Sequence, residues 1–217
     1  NELDKELTSR GLPFVRYADD SMIFCKSKRA AKRVKESVTR FIEGKLHLKV
    51  NRDKTVVSYV QGVKYLGYSF YVMKGKCQLT VHPRAKSKMK AKLKELTSRS
   101  NGWGYAKRKQ KLEEYIRGWV GYYHLANMKR FLMRTDEWLR RRLRMCIWKS
   151  WKRVKTRTAN LVKCGIDKYQ AYMWGNSRLG YWRIAVSYIL SRAITNEKLS
   201  MAGYATLMGS YIEWHPK

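Results

Sequence analysis

Residues 14 to 24, Phe14-Val15-Arg16-Tyr17-Ala18-Asp19-Asp20-Ser21-Met22-Ile23-Phe24, constrain this chain more than any other stretch. Val15 and Tyr17 before the acidic pair, and Met22 and Phe24 after it, alternate with period two, the pattern of two half-buried strands. Ala18, Asp19 and Asp20 between them suit a hairpin turn in length and composition. Two neighbouring carboxylates then stand at the tip of a hairpin, where they repel each other. An Asp pair also serves plain turn chemistry, and spacing alone leaves both readings open. A hard divalent ion such as Mg2+ takes one or two protein carboxylates together with substrate phosphate oxygens.

The rest of the chain says what such a hairpin would work beside. Across 217 residues there are 48 Lys and Arg against 16 Asp and Glu, a formal net charge of +32. Hydrophobic residues at 44% and aromatics at 13% argue for a folded protein rather than a basic tail. A folded chain this basic repels itself unless it meets a polyanion, so nucleic acid is the expected partner. Ribosomal-type binding and an anionic membrane surface fit the charge as well.

No run of eighteen apolar residues is present, so no membrane span is expected. Cys25, Cys77, Cys146 and Cys164, with His47, His82, His124 and His215, show no zinc-ligand spacing. They read as reduced thiols and ordinary histidines of a cytoplasmic protein. The charged opening, Asn1 to Leu7, has no signal-peptide core. It reads as the inside of a helix, so an upstream segment is expected to be missing.

In order, the pattern predicts the end of a helix over 2–10 with Gly11 as its stop, and then the acidic hairpin. A helix capped by Ser27 follows over 28–43, ended by Gly44. Leu46, Leu48 and Val50 alternate as a strand leading into Asn51-Arg52-Asp53-Lys54-Thr55. Residues 63–72 and 77–81 read as two further strands joined at Lys74-Gly75-Lys76. Together these make a small α+β layer over residues 1–83.

Composition shifts near residue 84. Between Arg84 and Arg157 lie 24 basic residues and five acidic ones. Three amphipathic helices are expected there. Ala85, Met89, Leu93 and Leu96 mark the first; Leu112, Tyr115, Ile116, Trp119, Val120 and Tyr123 the second. Met128, Phe131, Thr135, Leu139, Leu143 and Cys146 form one face of the third, with Arg130, Arg134 and Arg141 on another. A charge run is often only a solvated face, but an imbalance this large leaves too few acidic partners for surface pairing. An apolar stripe beside a cationic one describes a phosphate-tracking surface. Residues 151–217 again read as mostly helical, with aromatics between basic residues.

Several of these blocks resemble one family. Phe-Val-Arg-Tyr-Ala-Asp-Asp at 14–20 is similar to the palm signature of group II intron reverse transcriptase-maturases. Leu46 to Thr55, and Lys64-Tyr65-Leu66-Gly67-Tyr68, are similar to the later blocks of the same palm. Ile116-Arg117-Gly118-Trp119-Val120-Gly121-Tyr122-Tyr123 and Asp136 to Arg144 resemble the maturase-specific motif. Arg178-Leu179-Gly180-Tyr181-Trp182-Arg183 resembles the C-terminal DNA-binding region of bacterial members, with Leu179 where lysine is usual.

The resemblance implies the C-terminal part of a right-hand polymerase palm over 1–83. It implies a helical thumb or maturase-specific bundle over 84–150, and a maturase and DNA-binding region over 151–217, without a cysteine-rich endonuclease module. It implies RNA-directed DNA polymerisation and intron maturation in a bacterial ribonucleoprotein. Group II intron RNA, a template-primer duplex and target DNA would be the partners.

Asp19 and Asp20 would hold Mg2+, with Lys54 beside the reaction. Tyr65, Leu66, Gly67 and Tyr68 would grip the primer. Arg117, Arg130, Arg134, Arg141, Arg178 and Arg183 would contact nucleic acid. A further aspartate and the fingers belong upstream in that family, and Asp4 is a poor substitute. The chain by itself is therefore expected to bind RNA without polymerising. A stand-alone maturase-like RNA-binding factor is the alternative, and a retron-type enzyme is disfavoured by the Arg117-Gly118-Trp119 region.

Overall fold

The computed structural model describes residues 2–215, and the chain divides into two compact units between His82 and Pro83. The first unit is α+β. Helix α1 (Glu2–Ser9) buries Leu7 and ends ahead of Gly11, whose φ of 60° needs no Cβ to avoid. Strands β1 (Phe14–Tyr17) and β2 (Asp20–Ile23) pair antiparallel, Tyr17 opposite Asp20, so the turn between them is only Ala18-Asp19. Helix α2 (Lys28–Gly44) starts at Ser27, whose hydroxyl accepts the Ala30 N–H.

The predicted strand over Leu46–Val50 does not form. The Leu46 and Leu48 N–H groups donate back to the Phe41 and Ile42 carbonyls at the end of α2. His47 takes a positive φ of 53°, and Leu48 is exposed. The open carbonyls of the last helical turn took the donors a sheet would have needed.

The expected strand over 63–72 is likewise broken in two. Strands β3 (Lys64–Tyr65), β4 (Tyr68–Met73) and β5 (Lys76–Val81) form an antiparallel meander. Both of its turns, Leu66-Gly67 and Lys74-Gly75, have positive φ at both central residues, the geometry whose twist matches paired strands.

The second unit is all helical: α3 (Pro83–Leu96), α4 (Tyr105–Tyr123), α5 (Lys129–Ser150), α6 (Val154–Lys163), α7 (Lys168–Gly175), α8 (Tyr181–Ile184), α9 (Tyr188–Ala193), α10 (Asn196–Met201) and α11 (Leu207–Glu213). Its core joins Met89 and Leu93 of α3, Leu112, Ile116 and Val120 of α4, and Leu132, Leu139 and Leu143 of α5; all but Leu132 stand on the expected helical faces, and Phe131, expected on that of α5, is half-buried. Helix α11 packs against α4 and α5, and α8 against α5, so residues beyond 150 share this unit with those before it. Trp119 and Tyr123 are half-buried, with ring centroids 4.7 Å apart.

Candidate functional sites, one in each unit

In the first unit the acidic hairpin is built around Arg16. In β1 the alternation is present in the opposite phase to that expected, with Phe14 and Arg16 half-buried and Val15 and Tyr17 exposed; β2 does not alternate, Met22 and Ile23 both being half-buried and Phe24 beyond them exposed. Arg16 turns inward because it has a partner there. Its Nε lies 2.7 Å from Asp4 Oδ1 and its Nη2 donates to Asp4 Oδ2 at 2.8 Å, while Nη1 donates to the Ala18 carbonyl at 3.1 Å. One guanidinium thus ties α1 to the turn. Ala18 has a φ of 53°, a left-handed conformation that costs a residue with a Cβ about 1 kcal/mol. Such strain persists where surrounding contacts hold it, and the Arg16 bond to the Ala18 carbonyl is one.

Asp19 and Asp20 follow, both exposed. Among the described residues, neither carboxylate has a hydrogen bond or ion pair. Tyr65, the first residue of the expected primer grip, reaches this hairpin, its hydroxyl 3.5 Å from the Asp20 carbonyl. Leu66 and Gly67 form the turn beyond it, at φ of 49° and 81°, and Tyr68 begins β4. Lys54 is not brought in. It sits in a loop where its own N–H donates to Asn51 Oδ1 at 3.1 Å, and its exposed side chain has no described partner.

Two free carboxylates at one turn are the donors Mg2+ draws from a protein when phosphate oxygens and water supply the rest. Among the described residues, no cluster of three or more His, Cys, Asp or Glu is placed to hold a metal. Asp4, committed to Arg16, does not extend the pair.

In the second unit the positive charge sorts into two populations. One is internal. Arg142 donates to the Thr97 hydroxyl at 2.5 Å and to the Lys94 and Thr97 carbonyls at 3.0 and 2.9 Å, closing the end of α3. Burial pushes its guanidinium below the usual arginine range. Arg144 donates to the Ile194 carbonyl at 2.8 Å and Asn196 Oδ1 at 2.9 Å. Arg141, expected at the nucleic-acid surface, is half-buried and donates to the Trp182 carbonyl at 2.9 and 3.3 Å. Cations at open helix carbonyls are stabilising.

The other population faces outward. Arg130 and Arg134 are exposed on α5 without a described partner, and so are Arg178 and Arg183 in the loop before α8 and in α8 itself. Arg117 is exposed on α4, 3.9 Å from Glu113. On α3, at 100° per residue, Arg84, Lys88 and Lys92 line one flank of the buried Met89–Leu93 face and Lys86, Lys90 and Lys94 the other; of these Lys92 is paired with Glu95, and Lys86 and Lys90 lie over the Phe131 ring. Like charges at this spacing destabilise a helix. The sequence pattern marked only the apolar face of α3 and missed these flanking stripes, although its alternating lysines spell them out.

Profiles of two families match the chain at these two places. That of reverse transcriptases (RNA-dependent DNA polymerases) matches residues 1–70, and that of the group II intron maturase-specific domain matches residues 86–165. A stretch of 67 residues, 30% of this chain, is 37% identical to the group II intron-encoded protein LtrA of Lactococcus lactis subsp. cremoris. The same match is found in strain MG1363.

The chain belongs to the group II intron reverse transcriptase-maturases.

The aligned stretch spans 11% of LtrA's own length, so the likeness to that relative is local. In this reverse transcriptase-maturase chain the first profile covers the acidic hairpin and the Tyr65 turn. The second covers α4, α5 and most of α3, with the outward arginines Arg117, Arg130 and Arg134. No helix among the described residues is long and apolar enough to cross a membrane.

Proposed function

We propose that this chain is the C-terminal part of a group II intron-encoded protein, with its second unit binding intron RNA and its first carrying part of a polymerase palm. The single observation that carries the RNA reading is the excess of outward cations over acids, with Arg130, Arg134, Arg178 and Arg183 exposed and without a described partner. Between Arg84 and Arg157 there are 24 Lys and Arg and five acids. Glu95, Glu113 and Glu114 are already paired with Lys92, Arg117 and Lys111, and Asp136 with backbone N–H groups. A phosphate backbone supplies the missing negative charge, releasing counterions as it does so. In this reading helices α3 to α5 are the thumb and maturase-specific domain, and residues beyond 150 extend toward target DNA.

In the first unit, Asp19 and Asp20 would hold Mg2+, which when bound neutralises charge between an attacking primer oxygen and a nucleotide phosphate. Arg16 fixes the turn that presents them, and Tyr65 joins the primer-gripping turn to it. With Asp4 committed to Arg16, the chain by itself is expected to bind RNA and not to extend a primer. The same outward cations serve a second reading, a maturase-like splicing factor without polymerase chemistry.

The test is a titration of the chain with folded group II intron RNA over a range of salt concentrations, beside a Mg2+-dependent primer-extension assay. Saturable binding that weakens steeply with salt, without extension, is expected. Absence of saturable binding would overturn the RNA reading, and robust extension would overturn the statement about polymerisation. In the assembled intron ribonucleoprotein, Asp19→Asn with Asp20→Asn separates the two readings: loss of reverse transcription with splicing retained supports the palm. Reverse transcription absent even before the substitution supports the splicing factor.

A further inference from the structure

Helix α7 is built inside out. Its packed face consists of Ala171 and Gly175, both buried, and a Cβ at Gly175 would stand 2.6 Å from Thr158 Oγ1 and 3.3 Å from the Thr158 N of α6. Small residues let the two helices approach closely. The large apolar side chains point the other way: Tyr169 is 73% exposed, Tyr172 60% and Met173 55%. At spacings of three and four they share one outer face. Among the described residues neither Tyr169 nor Tyr172 has a ring contact or a side-chain hydrogen bond. An apolar face presented to water in this way marks an interaction surface.

The surroundings of that face say what covers it. Residues 151–193 contain nine Lys and Arg and a single acid, Asp167. Asp167 is spent on the helix itself, its carboxylate accepting the Tyr169 and Gln170 N–H groups. Lys168 and Arg178 flank the two ends of α7, exposed and without a described partner. At its far end Trp174 meets the exposed Tyr188 edge-on, centroids 5.8 Å apart, and the Arg192 Nη1 donates to the Tyr188 hydroxyl at 2.6 Å. Exposed ring faces set among unpaired cations combine the two things an unpaired nucleotide offers partners for, a base π-face and a phosphate.

We infer that the outer face of α7 is a stacking platform for single-stranded nucleic acid, with Tyr169 and Tyr172 receiving unpaired bases and Lys168 and Arg178 their phosphates. The inference rests on the nucleic-acid reading of the second unit and adds the state of the strand recognised there. Bases within a duplex are already stacked and cannot use these rings.

The experiment is fluorescence anisotropy of the 217-residue chain with three labelled probes of equal length: a single-stranded oligouridylate, an abasic strand and an RNA duplex. Tyr169→Ala with Tyr172→Ala is expected to weaken the single strand roughly tenfold or more while leaving the abasic strand and the duplex near wild type. Tyr169→Phe with Tyr172→Phe, which keeps the rings, is expected to bind the single strand as wild type does. Wild-type affinity of the alanine variant for the single strand, when all three probes bind the parent chain, overturns the platform and leaves the RNA reading standing. An equal loss on the abasic strand overturns it too. Failure of the parent chain to bind any probe overturns both. Loss of self-association in the alanine variant by sedimentation, with binding intact, assigns the face to a second copy and overturns the platform.

Discussion

Arg141 sits over the indole of Trp182, its guanidinium carbon 3.7 Å from the ring centroid, while the same group donates to the Trp182 carbonyl. Helix α8 is a single turn, and this contact adds to the packing of Ala185 and Tyr181 with Met145 and Cys146 in holding it to α5. Arg141→Ala removes a charged donor and a cation–π contact together, an expected loss of ~2 kcal/mol. Arg141→Lys should recover little of that, because an ammonium does not reproduce the guanidinium fork. Thermal unfolding of both variants measures this. Unfolding at the wild-type temperature in Arg141→Ala would contradict the internal role.

Asp136 is the buried acid of α5. Its two oxygens accept the Leu207 and Met208 N–H groups, both at 2.9 Å, at the start of α11. Asp136→Ala strands both donors, and a loss of about 3 kcal/mol in denaturant unfolding is expected.

The pH dependence of the same residue has a definite sign. Burial raises the Asp136 carboxyl above its ordinary value, with the two backbone bonds pulling the other way. The folded state therefore keeps the proton to higher pH than the unfolded chain. Asp136's contribution to stability falls as pH rises from the ordinary carboxylate range, about 4, through its raised folded value. Relative to Asp136→Asn, the wild type should lose stability across that window. Denaturant titrations of both at several pH values check it, and a relative gain by the wild type would contradict it.

Ala18 holds a left-handed φ that glycine adopts without strain. Ala18→Gly is expected to stabilise the first unit by about 0.5 kcal/mol at most, the relief of strain slightly exceeding the added chain entropy. Denaturant unfolding followed by a probe in residues 2–82 reads this. A destabilised variant would show that the turn does not hold that conformation in solution.

What the sequence revealed followed from local chemistry. The acidic hairpin was legible because turn residues sat between alternating strands, and the α3 to α5 faces because their apolar spacing is helical. The inward Arg16 was not, since its reason is Asp4, on another element. Nor was the fate of Leu46–Val50, decided by the open carbonyls at the end of α2. Charge counting placed Arg141 with Arg130 and Arg134 because all three lie off the apolar face of one helix. Only the carbonyl of Trp182, brought near by tertiary packing, distinguishes it.

In the proposed function the outward arginines, and not the inward ones, track RNA phosphates. The salt dependence of intron-RNA affinity tests this, compared among the parent chain, Arg130→Ala with Arg134→Ala, and Arg141→Ala. The slope of log affinity against log salt is expected to fall by about one for each outward arginine removed. Arg141→Ala, at a temperature where it remains folded, is expected to keep the parent slope. An unchanged slope in the Arg130 and Arg134 double variant, or a loss confined to Arg141→Ala, would contradict it.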